Sequence, residues 1–358
     1  MKVVIIGAGA AGLGTGWRLR QAGVDVTVLE RSQPARGATW AAAGMLSVAG
    51  ELGRAQTPEA EFAYRSSLLW PAFATELEAA SGMTIGYRRN GALIVARTQG
   101  EAAELEAGPG VERLTPAETR EREPMLTGDL AAALWAPEEA QVSNRALGQA
   151  LRQAFLKSGG TLAINEAVIR FEVEGDRVAA IRTPFRLVEA DLFVIAAGAW
   201  SAQFEGLPAS AIPNVVPVKG QMIAVVPPAG TPLPAQVIWG NDIYLVPQPD
   251  RLLIGATLEP DAGFDTRVTD IATEWLSSRA ISLMPKLAVW NVIERWAGLR
   301  PGSPDGRPIM GRTSLENLMV ASGQFRNGIL MTPALAESMA RLIVSGAAPE
   351  IEAFDPRR

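Results

Sequence analysis

Residues 3–30 constrain this chain more than any other stretch. Val3-Val4-Ile5-Ile6 is a run of β-branched residues, the composition of a strand buried on both faces. Gly7-Ala8-Gly9-Ala10-Ala11-Gly12 follows at once and fits the spacing G-x-G-x-x-G. In such a segment Gly7 permits the tight turn, Gly9 removes a side chain where backbone approaches a pyrophosphate, and Gly12 lets the next helix pack on the strand. A helix is predicted from Ala10 to Ala22, ending near Gly23, with its first amides facing the phosphates. A second apolar strand, Asp25 to Leu29, ends in Glu30. An acid about twenty residues beyond the first glycine accepts hydrogen bonds from a ribose diol. It favours a free 2′-hydroxyl and repels a 2′-phosphate, which argues for an adenine dinucleotide other than NADP. A glycine-rich turn with no ligand is the alternative, and the joint presence of strand, glycines, helix, strand and acid weighs against it.

The chain has 358 residues, room for two domains or one large interleaved unit, and its 48% hydrophobic content supplies a core. A net charge of −5 with no long run of one sign argues against nucleic acid and against a polybasic membrane surface. No apolar stretch reaches the roughly 18 residues of a membrane span. The apolar run at the start is too short for a signal peptide and reads as strand one, so the expected location is cytoplasmic. There is no Cys and no His. Disulfides, Cys/His zinc sites, Cys nucleophiles, Ser-His-Asp triads and imidazole bases are therefore excluded, and no metal site is expected. A chain with so few reactive side chains and a dinucleotide site delegates its chemistry to the cofactor.

Further along, residues 31–46 are rich in small side chains and show no clean period, which suits either close approach to a flat ligand or an irregular surface loop. Pro58 to Ser81 has helical spacing, as one helix or two. Tyr87 to Ala96 reads as a strand with a turn at Asn90-Gly91, 101–109 as a solvated helix, and Thr115-Pro116-Ala117-Glu118 as a capped helix start. Ala131 to Trp135 is a strand and Arg145 to Lys157 a helix. Thr161 to Ile164, Ala167 to Val173 and Arg177 to Ile181 are short strands. Asp191 to Trp200 is an apolar strand, ending in small residues at Ala197-Gly198. Val218 to Val226, Gln236 to Val246 and Arg251 to Thr257 form an antiparallel sheet, unlike the βαβ opening. Ile271 to Leu287 is helical and Val289 to Leu299 a strand. Gly298 to Gly302 and Pro304 to Pro308 read as turns. Leu318 to Ala321 is a strand, Gly323 to Thr332 a loop, and Pro333 to Ser345 the closing helix.

Five stretches together resemble the FAD-dependent amine and amino-acid oxidases of the D-amino-acid oxidase superfamily, and within it the glycine oxidase, ThiO-like branch. They are Ile5 to Glu30, Gly37 to Met45, Asp191 to Trp200, Trp296-Ala297-Gly298-Leu299-Arg300-Pro301, and Ser322 to Leu330. The resemblance covers nearly the whole chain. It implies an α/β (α+β) fold, a Rossmann-like FAD-binding domain with an interleaved antiparallel-sheet substrate domain. The expected boundaries are 1–80, 140–215 and 295–358 for the first, and 81–139 and 216–294 for the second.

The activity implied is oxidation of glycine, sarcosine or a similar small amine by hydride transfer from the α-carbon to flavin N5. The product is an imine that hydrolyses to an oxo acid, with peroxide where oxygen is the acceptor; thiamine biosynthesis is the implied context. By the same resemblance Arg300 binds the substrate carboxylate, Tyr244 is a second carboxylate contact, and Arg326 stands on the substrate side. Each has a plainer reading: a surface Arg beside a turn, a strand Tyr packed on its sheet, and a structural loop Arg. FAD contacts are implied for Gly7, Gly9, Ala10, Ala11, Gly12, Glu30, Arg31, Ala38, Thr39, Ala42, Ala43, Gly44, Met45, Val168, Ala197, Gly198, Trp200, Arg300 and Arg326, and for Asn327, Gly328, Ile329 and Leu330, whose amides would stabilise reduced flavin. Gln324 stands where the family usually has His, and Gln does not titrate. Without Cys or His the FAD is expected to be noncovalent. Relatives are often tetramers, so a homo-oligomer is also expected.

Three alternatives stay open at this point. One is an FAD-dependent D-amino-acid or hydroxyproline/proline-type dehydrogenase using another acceptor. Another is an NAD-dependent dehydrogenase, which would usually want a His that is missing. The last is a non-enzymatic dinucleotide-binding protein.

Overall fold

A computed structural model of the chain describes residues 1–52, 56–108 and 110–358. The Lys2–Ile6 strand lies inside a six-stranded sheet, paired in parallel with Asp25–Leu29 on one side and Leu192–Ile195 on the other. Successive side chains of a strand point to opposite faces. Val3 and Ile5 accordingly join one core, with Leu13 and Trp17 of the Ala10–Gln21 helix, Phe155 of the Asn144–Lys157 helix and Leu335 of the Thr332–Ser345 helix. Val4 and Ile6 face the other way, onto Phe171 and Ile181 of a small three-stranded sheet. Both faces are covered, which is why the run has no polar alternation.

The second sheet has eight strands. Five come from residues 216–302 and three from residues 92–136, and the join between Val237–Gly240 and Ala92–Ala96 is parallel while the other pairings are antiparallel. One face packs under the Asp270–Leu283 helix, through Ile223, Leu245 and Ile254 against Leu276, Ala280 and Leu283. The opposite face carries Met222, Trp239, Tyr244 and Trp296 toward Ala41 and Ala43 of the first unit.

Several local readings change. Gly298–Gly302 is no turn but the end of a long strand, Asn291–Gly302, paired residue by residue with Val216–Val226. The strand lies at the sheet edge, where Pro301 opposite Pro217 breaks no inner ladder. Gln236 to Val246 is two strands, Val237–Gly240 and Ile243–Pro247, joined by Asn241 and Asp242 at φ 54° and 67°. Positive φ at both central residues is the mark of a tight hairpin turn. Pro58–Ser81 is a single helix through Pro71, capped by Thr57 and stopped by Gly82. The Asp191 strand is short, Leu192–Ile195, followed by a 3-10 turn at Gly198–Trp200. Residues 31–46 are not wholly irregular, since Ala38–Ala41 forms one helical turn. Of the expected 101–109 helix, Gln99–Glu104 is helical, and residue 109 lies outside the described residues. Ile309–Arg312 is a strand the sequence reading left out.

Candidate active site

The loops that follow the carboxyl ends of the parallel strands open on a cavity of about 770 Å³. Such ends are where open α/β sheets bind ligands. Gly7 has φ +110°, and a Cβ there would lie 2.4 Å from the Ala196 carbonyl oxygen. Only glycine fits that turn. A Cβ on Gly12 would lie 2.0 Å from the Gly7 carbonyl oxygen, so the helix packs directly on the turn. The Ala8 amide donates to Glu30 Oε2 at 2.9 Å, and the Ala10 amide to Thr39 Oγ1 at 3.0 Å. Those of Ala11 and Gly12, in the first helical turn, have no partner of their own in the helix. Glu30 Oε1 accepts the Ser32 amide at 3.0 Å, which leaves acceptor capacity on both carboxylate oxygens. This glycine cradle with first-turn amides and an acid at the next strand end fits an adenine dinucleotide.

Segment 38–45 forms the adjoining wall. Asn144 Nδ2 donates to the carbonyls of Thr39 and Trp40 at 2.9 Å each, and Trp296 Nε1 to that of Ala41 at 2.9 Å. Gly298 admits this segment, since a Cβ there would meet Ala41 Cβ at 2.3 Å. Across the cavity, loop 323–330 is held by the Pro58–Ser81 helix. Ser66 Oγ and Trp70 Nε1 both donate to the Leu330 carbonyl, at 2.7 and 2.8 Å. The Phe325 amide donates to the Pro301 carbonyl at 2.9 Å, tying this loop to the strand that carries Arg300.

Arg300 lies part-buried over the backbone of Gly220, where a Cβ would come within 2.3 Å of Nη1. Nη1 donates to the carbonyls of Lys219 and Thr257, each at 3.3 Å. Among the described residues no carboxylate pairs with it. Tyr244 packs edge-on against Trp239 at 5.3 Å, and its hydroxyl lies 3.7 Å from Met222 Sδ. The Arg326 guanidinium lies 5.9 Å from the Trp239 ring centre. Gln324 is buried and donates through Nε2 to the Ser322 carbonyl at 2.8 Å.

Every residue singled out from the sequence lines this one cavity except Gly12, which packs behind it. The Asn327 amide, expected among the donors at the loop, instead donates to the Gln324 carbonyl at 2.8 Å. Among the described residues no turn bond is made by those of Gly328, Ile329 and Leu330. Sequence reasoning missed Met222, Gly220, Phe264 and Thr266, all cavity-lining. Phe264 packs at 5.6 Å on Trp200, whose other neighbour is the Arg31 guanidinium at 3.6 Å. Phe264 and Thr266 sit in an irregular segment with no motif to betray it. Among the described residues no cluster of His, Cys, Asp or Glu could hold a metal, and no helix is long and apolar enough to cross a membrane.

Comparison with known proteins places this cavity in a family. The chain is 36% identical over 365 residues to the bifunctional protein ThiO/ThiG of Synechocystis sp., covering 99% of this chain and 54% of that protein. It thus spans about half the length of that relative. It is 34% identical over 353 residues to the glycine oxidase of Geobacillus kaustophilus, covering 95% of this chain and 92% of that one. The crystal structure of glycine oxidase from Geobacillus kaustophilus superposes with a TM-score of 0.93 at 33% identity, over 99% of this chain and 98% of that one. Residues 2–342 match the profile described as FAD dependent oxidoreductase. With its glycine cradle, its six- and eight-stranded sheets and this match along nearly its full length, the chain belongs to the FAD-dependent oxidoreductase family.

Proposed function

We propose that this protein oxidises a small amino acid or secondary amine, with glycine and sarcosine as the simplest candidates, using FAD held noncovalently in the cradle of Gly7, Gly9 and Glu30. The observation that carries the reading is Arg300. Its guanidinium stands in the wall of the cavity with backbone carbonyls as its acceptors and no carboxylate partner among the described residues. A planar fork of this kind matches a carboxylate with two parallel hydrogen bonds. The relatives named glycine oxidase point the same way. FAD supplies the acceptor of the hydride.

The chain's own residues bind and orient. Arg300 takes the substrate carboxylate. Tyr244 and Arg326, which line the same cavity, stand on the substrate side with it. Segment 38–45 and the amides of Gly328, Ile329 and Leu330 form the walls on either side. The substrate amine must be neutral to lose its α-hydrogen as hydride. Hydride transfer itself requires no enzyme base, so the absence of His is no objection to this chemistry. With no Cys or His to serve as a tether, the cofactor is released by denaturation. We read 1–80, 140–215 and the residues after Gly302 as the FAD-binding domain and 81–139 and 216–302 as the substrate domain, so that the expected boundary at 295 moves to the end of the Asn291–Gly302 strand. The cytoplasm, where free small amino acids are abundant, is the proposed compartment, and a homo-oligomer the proposed assembly.

A panel of small amines tests the reading, assayed for bleaching of the flavin absorbance without oxygen and for peroxide with it. Bleaching by glycine or sarcosine supports it. Peroxide separates an oxidase from a dehydrogenase that uses another acceptor. A colourless protein that gains no flavin from added FAD overturns it. Acid precipitation should leave all yellow colour in the supernatant; colour in the pellet overturns noncovalent binding.

A further inference from the structure

The segment between the Leu252–Gly255 strand and the Asp270–Leu283 helix is clasped at both ends by side chains of the Val216–Val226 strand. Gln221 is buried, donates through Nε2 to Glu259 Oε1 at 2.8 Å, and accepts the Thr269 amide at Oε1 at 2.8 Å. Thr257 Oγ1 accepts the Gln221 amide at 2.8 Å and donates to the same Glu259 Oε1. Lys219, only 2% exposed, puts Nζ 3.3 Å from Glu259 Oε2 and 3.9 Å from Asp265. A buried ammonium is tolerated only with such partners, and its removal from one side leaves a charge uncompensated. None of these groups is needed for cofactor or substrate contact as described above. Yet the two carbonyls that receive Arg300 Nη1 belong to Lys219 and Thr257, the two backbones this clasp immobilises.

We propose that Thr257 and Glu259 are positioning residues for Arg300: their hydrogen-bonded clasp with Gln221 and Lys219 fixes the Thr257 carbonyl, and that carbonyl aims the guanidinium at the cavity. Arg is a long side chain with many rotamers, and a misplaced fork loses one of its two parallel bonds to a carboxylate. Fixed acceptors behind Nη1 leave Nε and Nη2 for the ligand. The inference rests on the proposal that Arg300 binds a substrate carboxylate.

The test uses the FAD-loaded full chain and glycolate, a carboxylate with a hydroxyl in place of glycine's amine, titrated against the flavin absorbance. Thr257→Val keeps the carbonyl and the branched shape but removes the hydroxyl. It should weaken glycolate binding about tenfold and raise the glycine KM by a similar factor, with a much smaller change in kcat and FAD retained on dialysis. Glu259→Gln should shift the same quantities in the same direction. Thr257→Ser restores the hydroxyl and should bind glycolate as the native enzyme does. Val and Ser variants that both bind glycolate like the native protein overturn the inference, as does a Ser variant as weak as the Val variant. Loss of FAD in place of glycolate affinity also overturns it, because the clasp would then serve the cofactor. Should Glu259→Gln fail to fold, the Val/Ser pair decides alone. A native holoenzyme that binds no glycolate overturns the Arg300 reading itself, an outcome distinct from equal binding by native and variant proteins.

Discussion

Glu59, in the first turn of the Pro58–Ser81 helix, accepts a hydrogen bond from Asn327 Nδ2 at 3.2 Å. The contact spans 268 residues of sequence and joins that helix to the loop lining the cavity. Burial holds the Glu59 carboxyl above the usual 4.5, and the Asn327 bond only partly opposes it. A carboxyl whose folded-state pKa is raised binds its proton more tightly in the folded protein. Its contribution to stability is present below pH 4.5 and is lost as pH rises through the raised folded value. Glu59→Gln should therefore flatten the decline in stability that begins just above pH 4.5. Urea denaturation of both proteins at intervals from pH 4 to 7 checks it; parallel curves would contradict the assignment.

Glu30→Ala should weaken FAD binding roughly tenfold to a hundredfold, the loss of one hydrogen bond to a charged acceptor, about 1.5–3 kcal/mol. The Ala8 amide also loses its acceptor in this variant, so the glycine turn loosens in the same step. Dialysis followed by flavin absorbance gives the measurement. Retention equal to the native protein would remove Glu30 from the cofactor site.

Much of this was legible in the sequence where the physics is local. Gly7, Gly12 and Glu30 follow from spacing along one strand–helix–strand unit, and each sits where that spacing puts it. Asn241-Asp242 carries a local turn signal too, yet the apolar residues on either side of it read as a single strand and the turn was missed. Arg300 was legible as a residue type but not as a strand residue. Gly298, Pro301 and Gly302 look like turn formers, whereas Gly298 is there to admit Ala41 and the proline is tolerated at a sheet edge. The Lys219–Gln221–Glu259 clasp was not legible. Its members lie up to 48 residues from their partners and meet only once the strands have paired.

The pH dependence of turnover should be simple. The cavity contains no imidazole and no thiol, and Gln324 is an amide held by the Ser322 carbonyl. The rate at low substrate should rise with pH as the substrate amine loses its proton and show no limb near neutrality from the enzyme. Gln324→His should add one, because an ordinary imidazole titrates near 6.5. Profiles of kcat/KM from pH 5 to 10 for the two proteins decide it. A native limb between pH 6 and 7 would mean a titrating group that the cavity lining does not account for.

Arg300→Ala is the strongest test of where the substrate sits. A small amino acid offers few contacts, so its carboxylate has to supply most of its orientation. The guanidinium of Arg300 lies in the wall of the cavity on the strand that also receives segment 38–45, while the proposed dinucleotide cradle is the turn of Gly7 and Gly9 with Glu30. The substitution should therefore leave the protein folded and yellow. It should cost glycine or sarcosine about 3–5 kcal/mol of transition-state stabilisation, the scale for breaking a partly desolvated charged pair. That is a loss of more than about a hundredfold in kcat/KM. Arg300→Lys should recover only part, because an ammonium is a point donor and reaches one carboxylate oxygen where the fork reaches two. An amine without a carboxylate should be a poor substrate of the native enzyme and should be indifferent to Arg300→Ala. Steady-state rates for one amine of each kind, with flavin content measured on the same samples, separate the outcomes. Equal losses for both amines, or loss of flavin, would make Arg300 a structural residue and move the substrate elsewhere in the cavity.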